Sequence, residues 1–191
     1  RKQAERALRE SQERYELAMR GSAAGVWDWN LETQEVYWSP PLKEMLGYEA
    51  DDISASVEAF IQALHPEDRE TTWGMIERHL RDRTPFQAHL RMRRRSGEYR
   101  WYFTSGQALW DAAGRAYRMA GSMVDVTARR EAEQEASRLA EQLGNTLESI
   151  TDAVFTLDRH WRFTFMNREA ERQLSRPRES LIGRVIWAEF P

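Results

Sequence analysis

Cysteine is absent from this chain of 191 residues. Its absence excludes disulfide bonds, thiolate metal sites and cysteine nucleophiles, and it is compatible with a reducing cytoplasm. Long apolar runs are lacking as well, since none approaches the ~20 residues of a transmembrane helix, and no signal peptide is visible. We therefore expect a cytoplasmic segment without direct membrane contact, which leaves open an anchor elsewhere in a longer parent protein.

The sequence also has no excess of positive charge. Its 28 Lys and Arg residues are outnumbered by 31 Asp and Glu residues, which gives a net charge of -3. An acidic balance of this kind argues against binding to nucleic acid. The arginine-rich stretch at residues 91–95, with Arg100 nearby, is therefore interpreted either as a solvated strand end or as a sheet face that meets acidic residues of an amphipathic helix.

No catalytic constellation is apparent. A nucleophile needs a base within hydrogen-bond reach and a third group that orients the base, yet the sequence suggests no Ser-His or Asp-His grouping and no glycine-rich phosphate loop. The four histidines are His65, His79, His89 and His160. We predict that His65 orients a turn, that His89 points outward, and that His79 shares a helix but not a face with Trp73 and Ile76. The segment is therefore predicted not to be an enzyme.

What the chain does contain is an internal repeat at an offset of 128 residues. The segment 26–28 aligns with 154–156, and 36–39 aligns with 164–167, without a gap. A fixed period marks an array of similar modules. We predict a helix at 1–21, a folded domain at 22–127, a connector helix at 128–150 and the truncated start of a second domain at 151–191.

Both predicted helices carry residues, most of them apolar, at the spacing of a coiled-coil seam. The first helix has this spacing at Ala4, Leu8, Ser11, Tyr15 and Ala18. The connector repeats it at Ala132, Ala136, Leu139, Leu143, Thr146 or Leu147, and Ile150. The pattern predicts a marginal parallel coiled coil between two copies of the chain. A surface helix packed on its own domain is the alternative.

Residues 22–127 combine strand and helix patterns. Strand alternation occurs at 25–31, at 36–38 and in three longer segments after residue 85, whereas helical spacing occurs between them at 42–46, 57–64 and 67–81. A turn at Ser96-Gly97 joins the first two long strands, and we predict that Leu90, Met92 and Trp101 face the core. This order of elements predicts an α+β fold with an antiparallel sheet.

In their order and spacing, these motifs resemble the PAS sensory-domain family, in the branch with a long C-terminal PAC motif. The matching segments include Gly25-Val-Trp-Asp-Trp-Asn30, Leu64-His-Pro-Glu-Asp-Arg69, Gly97-Glu-Tyr-Arg-Trp101 and Gly121-Ser-Met-Val-Asp-Val-Thr127. The resemblance covers 22–127, and 147–183 resembles the opening of another PAS domain. It implies a five-stranded antiparallel sheet with short helices on one face. It also implies a fragment of a multi-PAS bacterial signalling protein, such as a sensor histidine kinase or a diguanylate cyclase.

The resemblance further implies that a small ligand can lie between the sheet and the helices. The candidate wall residues are Trp27, Trp29, Phe60, Trp73, Ile76, Leu90, Met92, Trp101, Met119 and Met123. Ligand cavities are mostly apolar and contain only a few polar groups. The composition therefore leaves open whether these side chains surround a ligand or simply fill a core.

Flavin and haem are the cofactors that the family suggests. Photoactive flavin members form an adduct with a cysteine, which this chain lacks. Oxygen-sensing haem members use a histidine on the third helix, and the alignment places Thr72 or Trp73 there. Loosely held flavin, or haem bound through Met75 or His79, is the remaining alternative.

The motif Asp125-Val-Thr127 lies where the last strand meets the connector helix. One of its two polar side chains can cap the helix, and the other can tie the sheet edge to it through Arg129 or Arg100. In similar domains this junction couples the domain to its connector. We predict the same signal-coupling role for Asp125, Thr127 and Arg129, with a plain helix cap as the alternative.

Together these observations predict a regulatory sensory and dimerisation module of two-component type. We expect it to sense a small ligand or a cofactor state and to act, as a homodimer, on adjacent PAS domains and a downstream histidine kinase or cyclic-di-nucleotide domain. The competing predictions are a ligand-free dimerisation or spacer module and a redox sensor with haem or flavin. For the truncated second copy, helix, hairpin, disorder and pairing with another chain all stay open.

Overall fold

The structure, a computed structural model, describes residues 24–49 and 52–190, together with Arg6, Arg9, Glu13, Leu17 and Gly21. The five described positions before residue 24 are helical, whereas the predicted seam residues Ala4, Leu8, Ser11, Tyr15 and Ala18 lie outside the described residues. The chain forms two compact units, Arg1–Arg130 and Glu131–Pro191. Each unit is therefore described by itself.

The first unit is built around one antiparallel sheet. Its strands are β1 (Gly25–Asn30), β2 (Val36–Trp38), β3 (Phe86–Arg93), β4 (Tyr99–Trp110) and β5 (Ala116–Asp125). Its helices are α1 (Pro40–Met45), α2 (Val57–Ala63) and α3 (Pro66–Asp82), and helix α4 (Thr127–Ser149) begins directly after β5. The strands are paired in the order β2-β1-β5-β4-β3. This architecture confirms the predicted α+β fold with a five-stranded antiparallel sheet.

Serine side chains cap the first two helices. Ser39 Oγ accepts a hydrogen bond from Leu42 N at 3.4 Å, and it also accepts one from Val26 N at 2.8 Å. The second bond joins the start of α1 to strand β1. Ser56 Oγ accepts a hydrogen bond from Ala59 N at 3.0 Å and caps α2 in the same way. Local sequence therefore determines where both helices begin.

The core of the first unit lies between the helices and one face of the sheet. Its buried side chains are Trp38, Leu42, Leu46, Leu64, Ile76, Phe86, Ala88, Leu90, Met92, Tyr102, Ala108, Met119 and Met123. Tyr102 is fully buried, and its hydroxyl donates a hydrogen bond to Met45 O at 3.3 Å. Burial raises the pKa of Tyr102 to about 12. The phenol side chain of Tyr102 is therefore neutral and hydrogen-bonded within the core.

Two glycines make room for an indole on the inner face of the sheet. Trp27, Gly121 and Gly106 are direct partners across β1, β5 and β4. A Cβ atom at Gly121 would lie 2.1 Å from Ser105 O and 2.4 Å from Cζ2 of Trp27. The indole Nε1 donates to Thr104 Oγ1 at 3.0 Å, which fixes the orientation of the ring. Side chains at either glycine would displace this tryptophan.

The turn between β3 and β4 determines which residues of β4 face the core. It is a three-residue loop that is closed by Arg94 N donating to Glu98 O at 2.8 Å, and Gly97 has a φ of 91°. Even-numbered residues of β3 therefore pair with even-numbered residues of β4. Tyr102 faces the core, and Trp101 lies on the opposite face. The prediction that Trp101 faces inward is wrong, because a two-residue turn at Ser96-Gly97 would have shifted the pairing by one residue.

The second unit resembles the opening of the first. Its elements are β6 (Phe155–Leu157), β7 (Phe163–Met166), α5 (Arg168–Leu174), α6 (Arg178–Leu181) and α7 (Ile186–Glu189). Phe155 pairs with Met166 just as Trp27 pairs with Trp38, so both partners are displaced by 128 positions. A small core is formed by Phe163, Met166, Ala170 and Leu181. Of the alternatives left open by the sequence, this segment adopts a hairpin with short helices.

Two of the apolar side chains at the predicted seam positions of helix α4 are exposed. Leu139 is 51% exposed and Leu143 is 59% exposed. A coiled coil between two copies would cover such side chains, and it stays a prediction. Among the described residues, no helix combines the length and the apolar character that crossing a membrane requires.

Candidate functional site

A cavity of about 60 Å³ lies between the inner face of the sheet and the helices of the first unit. The predicted residues that line it are Trp27, Trp29, Phe60, Trp73, Ile76, Met92, Met119 and Met123. The wall residues that sequence reasoning missed are Val36, Trp38, Leu42, Leu46, Ser56, Val57, Phe86 and Thr104. Elements α1, α2 and α3 form one side of the cavity, and all five strands contribute residues to the other.

Two predicted wall residues lie elsewhere. Leu90 is fully buried in the core but does not line the cavity. Trp101 lies on the outer face of the sheet, as the pairing of β3 with β4 requires. A residue can therefore be buried in the core without lining the cavity. Strand alternation predicts only which face of the sheet a residue lies on.

Among the described residues, the cavity wall includes a buried polar group without a hydrogen-bond partner. Thr104 Oγ1 and Ser56 Oγ are both engaged in hydrogen bonds with the protein. Trp73 Nε1 donates to Glu77 Oε1 at 2.9 Å. Within the described part of the chain, the buried Nε1 of Trp29 has no hydrogen-bond partner. A buried donor of this kind is unusual in a folded protein, and a ligand with an acceptor atom would satisfy it.

His79 is a structural histidine of the core. It is fully buried, its Nδ1 contacts Thr84 O, and its Nε2 accepts a hydrogen bond from Ala108 N at 2.9 Å. The prediction that His79 lies off the face of Ile76 is wrong, because residues three apart on a helix are neighbours on its surface. Both ring nitrogens are engaged, so binding of haem iron would break a backbone hydrogen bond. His89 is exposed on β3, as predicted.

Neither haem nor flavin fits the cavity. Sites for ligands of drug size have volumes of about 300 to 1,000 Å³, several times the volume found here. Met75, the other alternative haem ligand, is partly buried against the core, but it does not line the cavity. The residues present therefore suit a much smaller molecule than either cofactor.

The junction between β5 and α4 is held by the two polar side chains of the predicted motif. Asp125 Oδ1 accepts a hydrogen bond from Thr127 N at 2.9 Å, and Asp125 Oδ2 lies 3.4 Å from Nη1 of Arg100. Thr127 Oγ1 accepts from Trp101 N at 2.9 Å and donates to Trp101 O at 3.3 Å. Asp125 thus caps the helix, and Thr127 ties the helix to the backbone of β4. Arg129 is exposed on the first turn of α4.

Sequence reasoning offered residues 91–95 as a sheet face that meets acidic helix residues, but it missed the cluster that Arg91, Trp101 and Arg130 form on the outer face of the sheet. The guanidinium of Arg130 lies 3.9 Å from the ring centre of Trp101, and that of Arg91 lies 5.2 Å from the same ring. Arg91 also pairs with Asp68 at 2.6 Å and with Glu67 at 2.8 Å. Hydrogen bonds from Arg91 lower the pKa of Asp68, and those to Asp68 and Glu67 raise the pKa of Arg91. A correct three-residue turn would have placed Trp101 beside Arg91 and revealed half of this cluster.

Comparisons with known proteins agree with this geometry. Sequence profiles of the family described as PAS fold match residues 35–123 and 141–191. Sensor protein FixL of Bradyrhizobium diazoefficiens is 26% identical over 179 residues, which cover 94% of this chain and 35% of FixL. The probable diguanylate cyclase DgcE of Escherichia coli is 27% identical over 183 residues, which cover 95% of this chain and 16% of DgcE.

A solved structure gives closer agreement. A sensory box histidine kinase/response regulator from Burkholderia thailandensis is 38% identical with a TM-score of 0.61, over 68% of this chain and 97% of the solved chain. This chain spans about a third of FixL and about a sixth of DgcE, so it corresponds to part of each curated relative. The two matched segments, the high identity to a solved sensory domain and the five-stranded sheet together show that the chain belongs to the PAS family of sensor domains.

Proposed function

We propose that this chain is a regulatory sensory module of a bacterial signalling protein. In this proposal a small, uncharged ligand enters the cavity of the first unit and changes the positions of β4 and β5. Helix α4 transmits the change through an adjacent PAS domain to a downstream histidine kinase or cyclic-di-nucleotide domain. The observation that carries the proposal is that the same two strands line the cavity and hold the first residue of α4.

The short distance along each strand supports this coupling. On β5, Met123 lines the cavity and Asp125 caps α4 two residues later. On β4, Thr104 lines the cavity, and Trp101 binds the side chain of Thr127 three residues earlier. Because both strands are continuous and paired here, a shift at the cavity wall is transmitted to the junction through a few peptide units.

The wall chemistry supports a small ligand with one hydrogen-bond acceptor. None of the described residues that line the cavity has an ionisable side chain, so an uncharged molecule fits it best. An apolar cavity of about 150 Å³ accommodates benzene, so a volume of about 60 Å³ suits a molecule with fewer atoms. In this proposal the acceptor atom binds Trp29 Nε1, which is buried and has no hydrogen-bond partner among the described residues. Methionines in the wall can change rotamer and admit somewhat larger ligands.

A ligand-free dimerisation or spacer module is the second candidate. The small volume of the cavity favours it, and so does the exposure of Leu139 and Leu143 on α4. In this alternative two copies associate through parallel α4 helices, and the core of the first unit serves only to hold the helix. The two candidates differ in whether the cavity is occupied.

Native mass spectrometry of the purified chain tests the proposed ligand. We expect a retained small molecule in the unmodified chain, and much weaker retention in Trp29→Phe, which removes the unpartnered donor. Trp73→Phe is the matched control, because the Nε1 of Trp73 already donates to Glu77. Loss of one hydrogen bond to a ligand weakens binding roughly tenfold. An apo mass for the unmodified chain would favour the spacer function.

The coupling step has its own test in Thr127→Val, which removes the hydroxyl and keeps the branched shape. Loss of the ties to Trp101 is expected to raise hydrogen exchange of amides 130–134 about tenfold, because each hydrogen bond contributes about 1 kcal/mol. Thr127→Ser keeps the hydroxyl and is expected to exchange at nearly the original rate. Equal rates in the valine and serine variants would contradict a coupling role for Thr127.

A further inference from the structure

Helix α3 contacts Arg91, helix α4 contacts Trp101, and these two residues are partners across β3 and β4 on the outer face of the sheet. We propose that Arg91 and Trp101 form a positioning link that joins the start of α3 to the first turn of α4. The proposal deepens the coupling step of the proposed function, on which it rests. It adds a second route from the cavity wall, because α3 carries the wall residues Trp73 and Ile76.

The first step of the link joins α3 to β3 through Asp68. Asp68 Oδ2 accepts hydrogen bonds from Arg91 N at 2.8 Å and from Arg91 Nε at 3.0 Å, and Asp68 Oδ1 accepts one from Arg91 Nη2 at 2.6 Å. On the same edge of the sheet, His65 N donates to Arg91 O at 2.8 Å. The side chain of Asp68 is only 17% exposed, so solvent competes weakly for these bonds. A displacement of α3 therefore displaces Arg91.

The second step joins β3 to α4 through the indole of Trp101. Arg91 and Trp101 are direct partners across the two strands, and the guanidinium of Arg91 lies 5.2 Å from the ring centre. Arg130, in the first turn of α4, lies closer to the same ring, at 3.9 Å. Both contacts have the geometry of cation–π interactions, in which an aromatic ring attracts a positive charge. Trp101 thus contacts α4 through its ring as well as through its backbone bonds to Thr127.

The carboxylates of α3 are what allow two arginines to share one ring. Two guanidinium groups near a single indole repel each other, and the repulsion is offset where one of them is paired with acids. Arg91 is paired with both Asp68 and Glu67, whereas Arg130 relies on the ring. A change at Asp68 therefore alters how far the charge of Arg91 is neutralised, and where its guanidinium lies, beside the ring that holds Arg130.

Hydrogen exchange in a double-mutant cycle tests the link on the full chain. Among the described residues, no hydrogen bond or ion pair joins Asp68 to α4. Asp68→Asn is nevertheless expected to speed exchange of amides 130–134 about threefold, the size of one exposed cation–π interaction. In the Trp101→Leu background the same change is expected to have no further effect. Asp82→Asn is the matched control, because Asp82 lies on α3 but pairs only with its neighbour Arg81 among the ion pairs of the described residues. Unchanged exchange in the central strand β5 shows that each variant is folded.

Two outcomes would overturn the link. In one, Asp68→Asn leaves exchange in the first turn of α4 unchanged. In the other, its effect is equally large with leucine at position 101, which would mean that the effect bypasses the indole. Neither measurement requires a ligand, so they are independent of the mass-spectrometric test. If Thr127→Val speeds exchange while Asp68→Asn does not, the proposed coupling at Thr127 stands and only the additional link fails.

Discussion

Alanine at Gly121 is expected to lower the free energy of unfolding of the first unit by about 3 kcal/mol or more, because overpacking against backbone cannot relax by a side-chain rotation. The added Cβ would lie 2.1 Å from Ser105 O and 2.8 Å from Cα of Gly106. It would also meet Cζ2 of Trp27 at 2.4 Å. Both the pairing of β4 with β5 and the position of the indole would have to change.

Urea denaturation followed by tryptophan fluorescence measures this loss. Gly74→Ala is the matched control, because a Cβ atom at Gly74 would meet nothing within 4 Å and the residue lies inside helix α3. Alanine there is expected to stabilise the unit by about 0.5 to 1 kcal/mol, the difference in helix propensity. If Gly121→Ala unfolds at the same urea concentration as the unmodified chain, Trp27 does not lie over the two glycines.

Replacement of Asn167 by alanine is expected to have the second large effect, a loss of about 3 kcal/mol or more in the second unit, because several buried backbone groups lose their partners. Asn167 is fully buried, and its Oδ1 accepts hydrogen bonds from Val154 N and Ala170 N, both at 2.9 Å. Its Nδ2 lies within hydrogen-bond distance of Leu147 O at 3.2 Å and of Asp152 O at 2.9 Å. The amide therefore joins the end of α4 to the hairpin and to α5.

Asn167→Ser separates the contribution of the acceptor Oδ1 from that of the donor Nδ2. Ser39 holds the equivalent position in the first unit, where its hydroxyl accepts from the backbone of β1 and α1. Serine at 167 is expected to keep the equivalent acceptor bonds and to lose the amide donors. Hydrogen exchange should therefore rise in the last turn of α4 but little in α5, whereas alanine should raise it in both. Equal exchange profiles for the two variants would contradict this division.

Much of the fold could be predicted because its signals are local. Ser39 and Ser56 cap the first two helices, and the 128-residue offset pairs Phe155 with Met166 as Trp27 pairs with Trp38. A helix cap and a strand alternation each depend on residues that are close in sequence, and a repeat depends on a whole segment that recurs along the chain. These signals therefore do not depend on where the segment lies in the folded protein.

The candidate site was predicted less completely, for an equally physical reason. Strand and helix spacing gave most of the cavity wall, yet the volume that decides against haem and flavin depends on how far the helices stand from the sheet. The hydrogen bonds of His79 could not be predicted either, because its partners, Thr84 O and Ala108 N, are backbone groups. Every residue has the same backbone groups, so the sequence does not indicate which of them a side chain binds.

By itself, the sequence determined the order of the elements, their ends, the repeat and the family resemblance, since these follow from short-range periodicity and from the residues that start and stop helices. Only the tertiary structure decided that Trp101 lies on the outer face and meets Arg91 and Arg130. One residue more or less in the turn before β4 exchanges the two faces of that strand. Which charges then surround the indole depends on groups that are distant in sequence and are brought together only when the sheet has formed.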